Sequence, residues 1–349
     1  MSDLHIEILS PHRPDDPILL RERRRLQRVF GKTGVAVSAP DLASLTRVVD
    51  GRLADEGARW LREGGLVAFP TETVYGLGAD ARNRQAVERL YRVKGRPGSH
   101  PVIVHVGSLE AAKACAAGFP LLAERLAARF WPGPLTLIVA KASWVPDQVT
   151  GGQDSVGIRI PAHPLALELL KRFDGAVAAP SANRFGRVSP TTAEHVEADL
   201  AGDVDVLLDG GPCKVGVEST IVDVRTNQPI ILRPGGLSRE SIQDALGCPV
   251  PVQGATLRVS GSLESHYAPR ARVEVVEESA IYARAAELEA TGLRVKVLSP
   301  EDVEAPDLYA SLRSADAEGA DVILAPMPSE EGLGEAVRDR LRKASGPRV

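Results

Sequence analysis

The chain has 349 residues, 44% of them hydrophobic and 25% charged, with a formal net charge of −4. That length suggests about two domains at roughly 150 residues each, and the mildly acidic balance argues against binding nucleic acid by bulk charge. Cys115, Cys213 and Cys248 are widely spaced and form no CxxC, which gives neither a disulfide framework nor a zinc site. No apolar run reaches the roughly 18 residues that a membrane helix needs. The N-terminus lacks the apolar core of a secretory signal, so the expected location is the cytoplasm.

Residues 1–44 read as an N-terminal extension containing HRPDDP and a basic cluster from Arg21 to Arg25. Such a charge run is ordinarily a solvated or helical face, with an RNA-touching arm as the alternative. From 45 to 237 helix-like and strand-like stretches alternate. A helix over Ala54–Arg62, stopped by Gly64-Gly65, precedes a strand over Leu66–Phe69 and a helix over Arg84–Lys94. Strand Val102–Val106, helix Leu121–Phe130 and strands Leu135–Ala140 and Val156–Ile160 follow. Helix Ala166–Arg172, strand Ala176–Ala179, helix Thr192–Leu200 and strands Val204–Leu208, Ser219–Val224 and Ile230–Leu232 complete the region. The pattern predicts one α/β domain with a mixed sheet. Residues 238–270 open with a short helix, Arg239–Leu246, and then become a linker rich in Gly, Pro and Ser. Residues 271–349 alternate strand and helix three times, beginning with a strand over Arg272–Val276. They predict a compact Rossmann-like domain with no GxGxxG or P-loop.

Several positions carry possible chemistry. On the Arg84–Lys94 helix, Val87, Leu90, Tyr91 and Lys94 share one face. Lys94 thus continues an inward stripe, and a buried ammonium calls for an anionic partner. A lysine capping the helix C-terminus is the plainer alternative. In SVGIRI the alternation sets Ser155, Gly157 and Arg159 opposite Val156, Ile158 and Ile160. This forms a slot for a planar anion, or else an ordinary strand with one exposed arginine. His105 shares a strand face with Ile103. Ser181 and Asn183 stand at a strand exit, where turn chemistry competes with phosphate contact. The opening segment FPTETVYGLGAD places an apolar strand before small hydroxyls and glycines, the composition of a polar ligand site at a sheet edge. Lys94 and Arg96 behind it suit an anion. The candidates are basic or hydroxylic, with no acid pair, Ser-His-Asp order or HExxH standing out. That favours catalysis by positioning and charge neutralisation.

FPTETVYGLGAD, KGRP, PVIVHV, WPGPLT, IRIPAHP, APSAN, GVESTIVD, LRPG and HYAP occur in this order. Through them the chain resembles the threonylcarbamoyl-AMP synthase family, whose long form couples a YrdC-like domain to a C-terminal accessory domain. The resemblance implies a mixed, twisted YrdC-like sheet over 45–237 and a smaller Rossmann-like domain over 271–349. It implies that L-threonine, bicarbonate and ATP yield threonylcarbamoyl-adenylate and pyrophosphate, the first stage of forming N6-threonylcarbamoyladenosine at position 37 of tRNA. A downstream tRNA threonylcarbamoyl transferase would take the product. By the same resemblance Thr73, His105, Arg159, Ala179 and Ser219 belong to a threonine pocket, with Arg159 facing the carboxylate. Arg96, His100, Ser155, Ser181, Ser189, Arg233 and Tyr267 belong around ATP, and Tyr267 covers the cleft as part of the linker. Lys94, Arg96, Ser181 and Asn183 form a tetrad at the phosphates and the reacting carbamate. Magnesium is expected with the ATP rather than on protein ligands. His100 stands where many relatives have asparagine, and Leu263 where they often have methionine. An RNA-binding or ribosome-associated module of the same fold is the competing class.

Overall fold

The computed structural model describes residues 7–9, 39–252, 257–261 and 266–347. Leu263 and the Arg21–Arg25 cluster lie outside the described residues. The strands are β1 (Glu7–Leu9), β2 (Val67–Phe69), β3 (Gly76–Asp80), β4 (Val104–His105), β5 (Leu135–Ala140) and β6 (Ser155–Arg159), then β7 (Val177–Ala178), β8 (Val206–Leu208), β9 (Thr220–Asp223) and β10 (Ile230–Arg233). They form a single ten-stranded mixed sheet in the order β1-β8-β2-β3-β7-β4-β6-β5-β9-β10. The helices of this region are α1 (Ala39–Arg62), α2 (Arg84–Lys94), α3 (Leu109–Ala114), α4 (Leu121–Phe130) and α5 (Asp147–Thr150), followed by α6 (Pro164–Phe173), α7 (Ala193–Leu200) and α8 (Arg239–Leu246).

Several local readings change. The first helix runs from Ala39 rather than Ala54, and residues 7–9 pair in parallel with β8 at the sheet edge, so the N-terminal region is not merely peripheral. Backbone pairing across such a sequence distance leaves no periodic trace in three residues. The segment after the Pro-Thr-Glu-Thr turn, read from sequence only as an exit through Tyr75 and glycines, is strand β3, antiparallel to β2. Its Gly78 is required by packing: a Cβ there would sit 2.9 Å from both Phe69 and Val177 side-chain carbons.

α2 shows how local sequence aims a functional side chain. Asn83 caps its N-terminus, accepting from the Ala86 N–H at 3.1 Å, and Gly95 ends it in the left-handed conformation. Between these stops Ala86, Val87, Leu90, Tyr91 and Lys94 are buried on one face.

After the linker, β11 (Arg272–Val276), β12 (Val295–Val297) and β13 (Val322–Pro326) form a three-stranded parallel sheet in the order β11-β13-β12. α9 (Ile281–Glu289), α10 (Leu308–Ala317) and α11 (Gly334–Ala344) pack around it. This small unit shares a hydrophobic cluster with the large one: Val74, Val188 and Val217 pack with Tyr267, Leu308, Tyr309 and Val337. Arg313 of α10 reinforces the junction, donating to Asp199 at 2.6 Å.

Candidate active site

A small cavity of about 50 Å³ lies where β3, β4, β6 and β10 approach the linker. Strand register builds one wall. β4 and β6 pair in parallel with His105 beside Arg159, while β7 runs antiparallel on the other side and the Ala179 N–H donates to the Ile103 carbonyl at 2.9 Å. His105, Arg159 and Ala179 therefore line the cavity together, as the sheet's period of two requires. Arg159 is buried, so it is not the exposed arginine of an ordinary amphipathic strand. Its Nη2 donates to Glu72 Oε1 at 2.6 Å and its Nε to the Gly133 carbonyl at 3.3 Å. The second Glu72 oxygen accepts from the Ala162 N–H at 2.9 Å. A buried guanidinium needs such a partner. The internal carboxylate of Glu72 is a feature that strand periodicity did not signal.

Burial, followed by the neighbouring Arg159 charge, pushes the His105 imidazole down to about 3. The ring is neutral at pH 7, and its Nδ1 is buried without a hydrogen-bond partner, a vacancy that a polar ligand group can fill. Thr71, rather than Thr73, lines the cavity. The Thr71 hydroxyl organises the turn, accepting from the N–H groups of Thr73 and Val74 at 3.2 Å each, and it lies 2.8 Å from the Thr73 hydroxyl behind it. Ser219 lines the cavity, its hydroxyl 2.7 Å from that of Thr136.

The facing wall is cationic. Arg233 ends β10 at a register shift between Ile231 and Arg233 that turns its side chain inward. It donates to the Ser219 carbonyl from Nη2 at 2.8 Å and from Nε at 3.1 Å, and to the Ser260 carbonyl at 2.9 Å. Arg96 donates to the Pro101 carbonyl at 2.7 Å and to the Ser260 hydroxyl at 3.3 Å. One linker residue thus pins both arginines. Gly261, with a φ of +78°, must be glycine because a Cβ would fall 2.1 Å from the Tyr267 hydroxyl oxygen. Tyr267 is almost fully buried, lines the cavity and stacks on Tyr309 with ring centroids 5.8 Å apart. Burial, with Glu218 nearby, raises its phenol to about 12.

Lys94 is 2% exposed and does point inward. Its partners, however, are the Ser181 and Asn183 carbonyls rather than an anion, because the chain turn after β7 presents those oxygens to the helix end. Burial, with Arg96 adding, drives its ammonium well below the usual lysine range. The Asn183 amide donates to the Arg184 and Arg187 carbonyls at 2.8 Å each. Of the expected tetrad, Arg96 and Ser181 line the cavity while Lys94 and Asn183 stand behind it. Ser155 lines a separate cavity of about 20 Å³, reached past Ser260. His100 lies outside the cavity lining, edge-on to Phe185 at 5.6 Å, its imidazole lowered by burial and then by Arg96. Ser189 is turned away to donate to Glu218 Oε1 at 2.6 Å. Glu218 lines the cavity and was missed as a functional position, since GVEST marks a strand start and gives no sign of a buried carboxylate.

A family model described as "Telomere recombination" matches residues 59–235, and one described as "Threonylcarbamoyl-AMP synthase, C-terminal domain" matches residues 237–346. A threonylcarbamoyl-AMP synthase of Pyrococcus abyssi is 43% identical over 319 residues, covering 84% of this chain and 94% of the relative. This chain belongs to the threonylcarbamoyl-AMP synthase family. A Bacillus subtilis member is 40% identical over 84% of the chain and 93% of its own length. A crystal structure of P. abyssi Sua5 complexed with L-threonine superposes with a TM-score of 0.80 at 42% identity, covering 84% of this chain and 94% of that one. The family's fold, a mixed α/β sheet with a smaller C-terminal unit, is the one expected from the motifs.

Proposed function

We propose that this protein condenses L-threonine, bicarbonate and ATP into threonylcarbamoyl-AMP, releasing pyrophosphate. One structural observation supports the reading most strongly. A single cavity has a wall of Arg159, His105 and Ala179 on one side and a wall of Arg96 and Arg233 on the other. The relatives' name then fits a site that brings two anions together.

In this reaction bicarbonate gives carbon dioxide by losing hydroxide, the threonine amine adds to that carbon and gives up a proton, and a carbamate and water result. A carbamate oxygen attacks the α-phosphorus of ATP in line, the bond to the bridging oxygen breaks, and pyrophosphate leaves with that electron pair. Arg159 and the neutral His105 receive the amino acid, Arg159 sharing its charge between Glu72 and the substrate carboxylate. Arg96 and Arg233 exchange Ser260 for phosphate oxygens and stabilise the charge that develops during transfer. Lys94 holds the Ser181 turn against the phosphates. Since a drug-sized ligand occupies roughly 300 Å³ or more, ATP enters only when the linker withdraws Ser260 and Tyr267. Its return excludes water from the labile mixed anhydride.

Among the described residues no cluster of three His, Cys, Asp or Glu side chains suits a metal ion. Glu72 and Glu218 are committed to Arg159 and Arg340. In this reading magnesium arrives with the ATP, neutralising the triphosphate. The product passes to a tRNA threonylcarbamoyl transferase in the cytoplasm. No helix among the described residues is long and apolar enough to cross a membrane. The RNA-binding alternative is not favoured, because the relatives are threonylcarbamoyl-AMP synthases and Arg96, Arg159 and Arg233 face the cavity.

Pyrophosphate release is expected only when ATP, L-threonine and bicarbonate are supplied together. Release that is indifferent to threonine defeats the proposal.

A further inference from the structure

The C-terminal unit has a three-stranded sheet of its own, yet one of its arginines reaches the cavity wall. Arg340, on α11, is fully buried, its side chain 0% exposed. Its Nε donates to Glu218 Oε2 at 2.7 Å and its Nη1 to Asp339 at 2.6 Å, while Nη2 is buried without a partner. The guanidinium carbon lies 4.9 Å from the centre of the Tyr267 ring. Simple packing of two units does not call for a buried guanidinium, because its desolvation is costly unless something specific is gained.

Two of these three contacts, Glu218 and Tyr267, line the cavity. Glu218 Oε1 accepts from the Ser189 hydroxyl at 2.6 Å, and Oε2 accepts from the Tyr309 hydroxyl at 3.0 Å. The adjoining Ser219 carbonyl holds Arg233. Burial alone would push the Glu218 carboxyl up, but Arg340 and then Arg233 outweigh it and hold it at about 2, so it remains an anion at neutral pH. Tyr267 has a φ of +62°, a conformation that a tyrosine keeps only when its surroundings impose it. Those surroundings are the Tyr309 ring and the Arg340 guanidinium, a cation–π contact in a desolvated setting. By contrast Arg159 and Glu72 find their partners, Gly133 and Ala162, inside the large unit.

We propose that Arg340 is a positioning residue for the nucleotide side of the cavity: by clamping Glu218 and Tyr267 it makes the C-terminal unit a brace for Ser189, Arg233 and the linker. This rests on the functional reading above. The C-terminal unit then acts on ATP and leaves the amino-acid wall alone.

The test compares full-length Arg340→Met, Arg340→Lys and the double variant Glu218→Gln/Arg340→Met with the unsubstituted chain. ATP and L-threonine binding are measured separately by calorimetry, alongside KM for each and thermal melting. Arg340→Met is expected to weaken ATP binding about tenfold while L-threonine binding changes by less than about twofold. Arg340→Lys regains thermal stability but not ATP affinity, since an ammonium lacks the planar fork and the ring stacking. The double variant removes both members of the Arg340–Glu218 ion pair, so neither is left without the other; it folds even where the single variant does not, and it remains weak for ATP. Equal weakening of both ligands, or unchanged ATP affinity in a folded variant, overturns the proposal. An unsubstituted chain that binds no ATP overturns the functional reading itself, and the clamp with it.

Discussion

The two walls of the cavity are held in different ways. The wall of His105, Arg159 and Ala179 belongs to adjacent strands of one sheet, and its charged member is satisfied within that unit by Glu72. The wall of Arg96 and Arg233 is held through Ser260 of the linker and, one residue further, through Glu218 and Tyr267 by the C-terminal unit. A wall fixed by backbone register is rigid before ligand arrives. A wall fixed by a linker can open. An enzyme that must admit a large nucleotide and then exclude water needs one of each.

The sharpest way to break this comparison is Lys94, which stands behind the point where the walls meet. Lys94→Ala is expected to reduce turnover by about a hundredfold or more, the scale of losing a preorganised charged donor, while the circular-dichroism spectrum keeps its native shape. Near-normal pyrophosphate release would mean that the site does not depend on Lys94 to hold the Ser181 turn. Arg159→Ala tests the independence of the first wall: the KM for L-threonine should rise about tenfold, and that for ATP should move by less than about twofold. If both rise equally, the walls are not separate.

The gentlest probe is pH. His105 and His266 are held down at about 3 by burial, against the usual 6.5, so both are neutral when folded. As pH falls below 6.5 the unfolded chain takes up protons that the folded chain refuses, and stability drops. Each histidine contributes a slope of about 1.4 kcal/mol per pH unit at most. Glu218, depressed from 4.5 to about 2, adds to the loss only in stronger acid. The melting temperature should therefore decline between pH 6.5 and 5, before the carboxylates titrate. A flat profile there would mean that these rings are not buried and neutral.

Much of this was legible from local pattern. The 3.6-residue period aimed Lys94 inward, and strand alternation separated Arg159 from Val156 and Ile158. The Gly-Pro-Ser composition marked the linker. Other features had no local signal. Glu72 and Arg159 are 87 positions apart, and Glu218 and Arg340 are 122 apart. Neither pairing leaves a mark in any window short enough to show a period. β1 was missed for the same reason, and Thr73 fell one layer behind Thr71 because a turn hydroxyl has no alternation to orient it.

The sequence by itself determined most of the segments that become strands and helices, β1 and β3 apart, and which cationic and hydroxylic residues would be available to a ligand. Both follow from short-range sterics and from the periodicity of apolar burial. Only the tertiary structure decided which partner each buried charge would find. The desolvation of an arginine or a carboxylate is offset by whichever opposite charge the packing brings within hydrogen-bonding distance. For Arg159 that is Glu72 of the same unit, and for Glu218 it is Arg340 of the other.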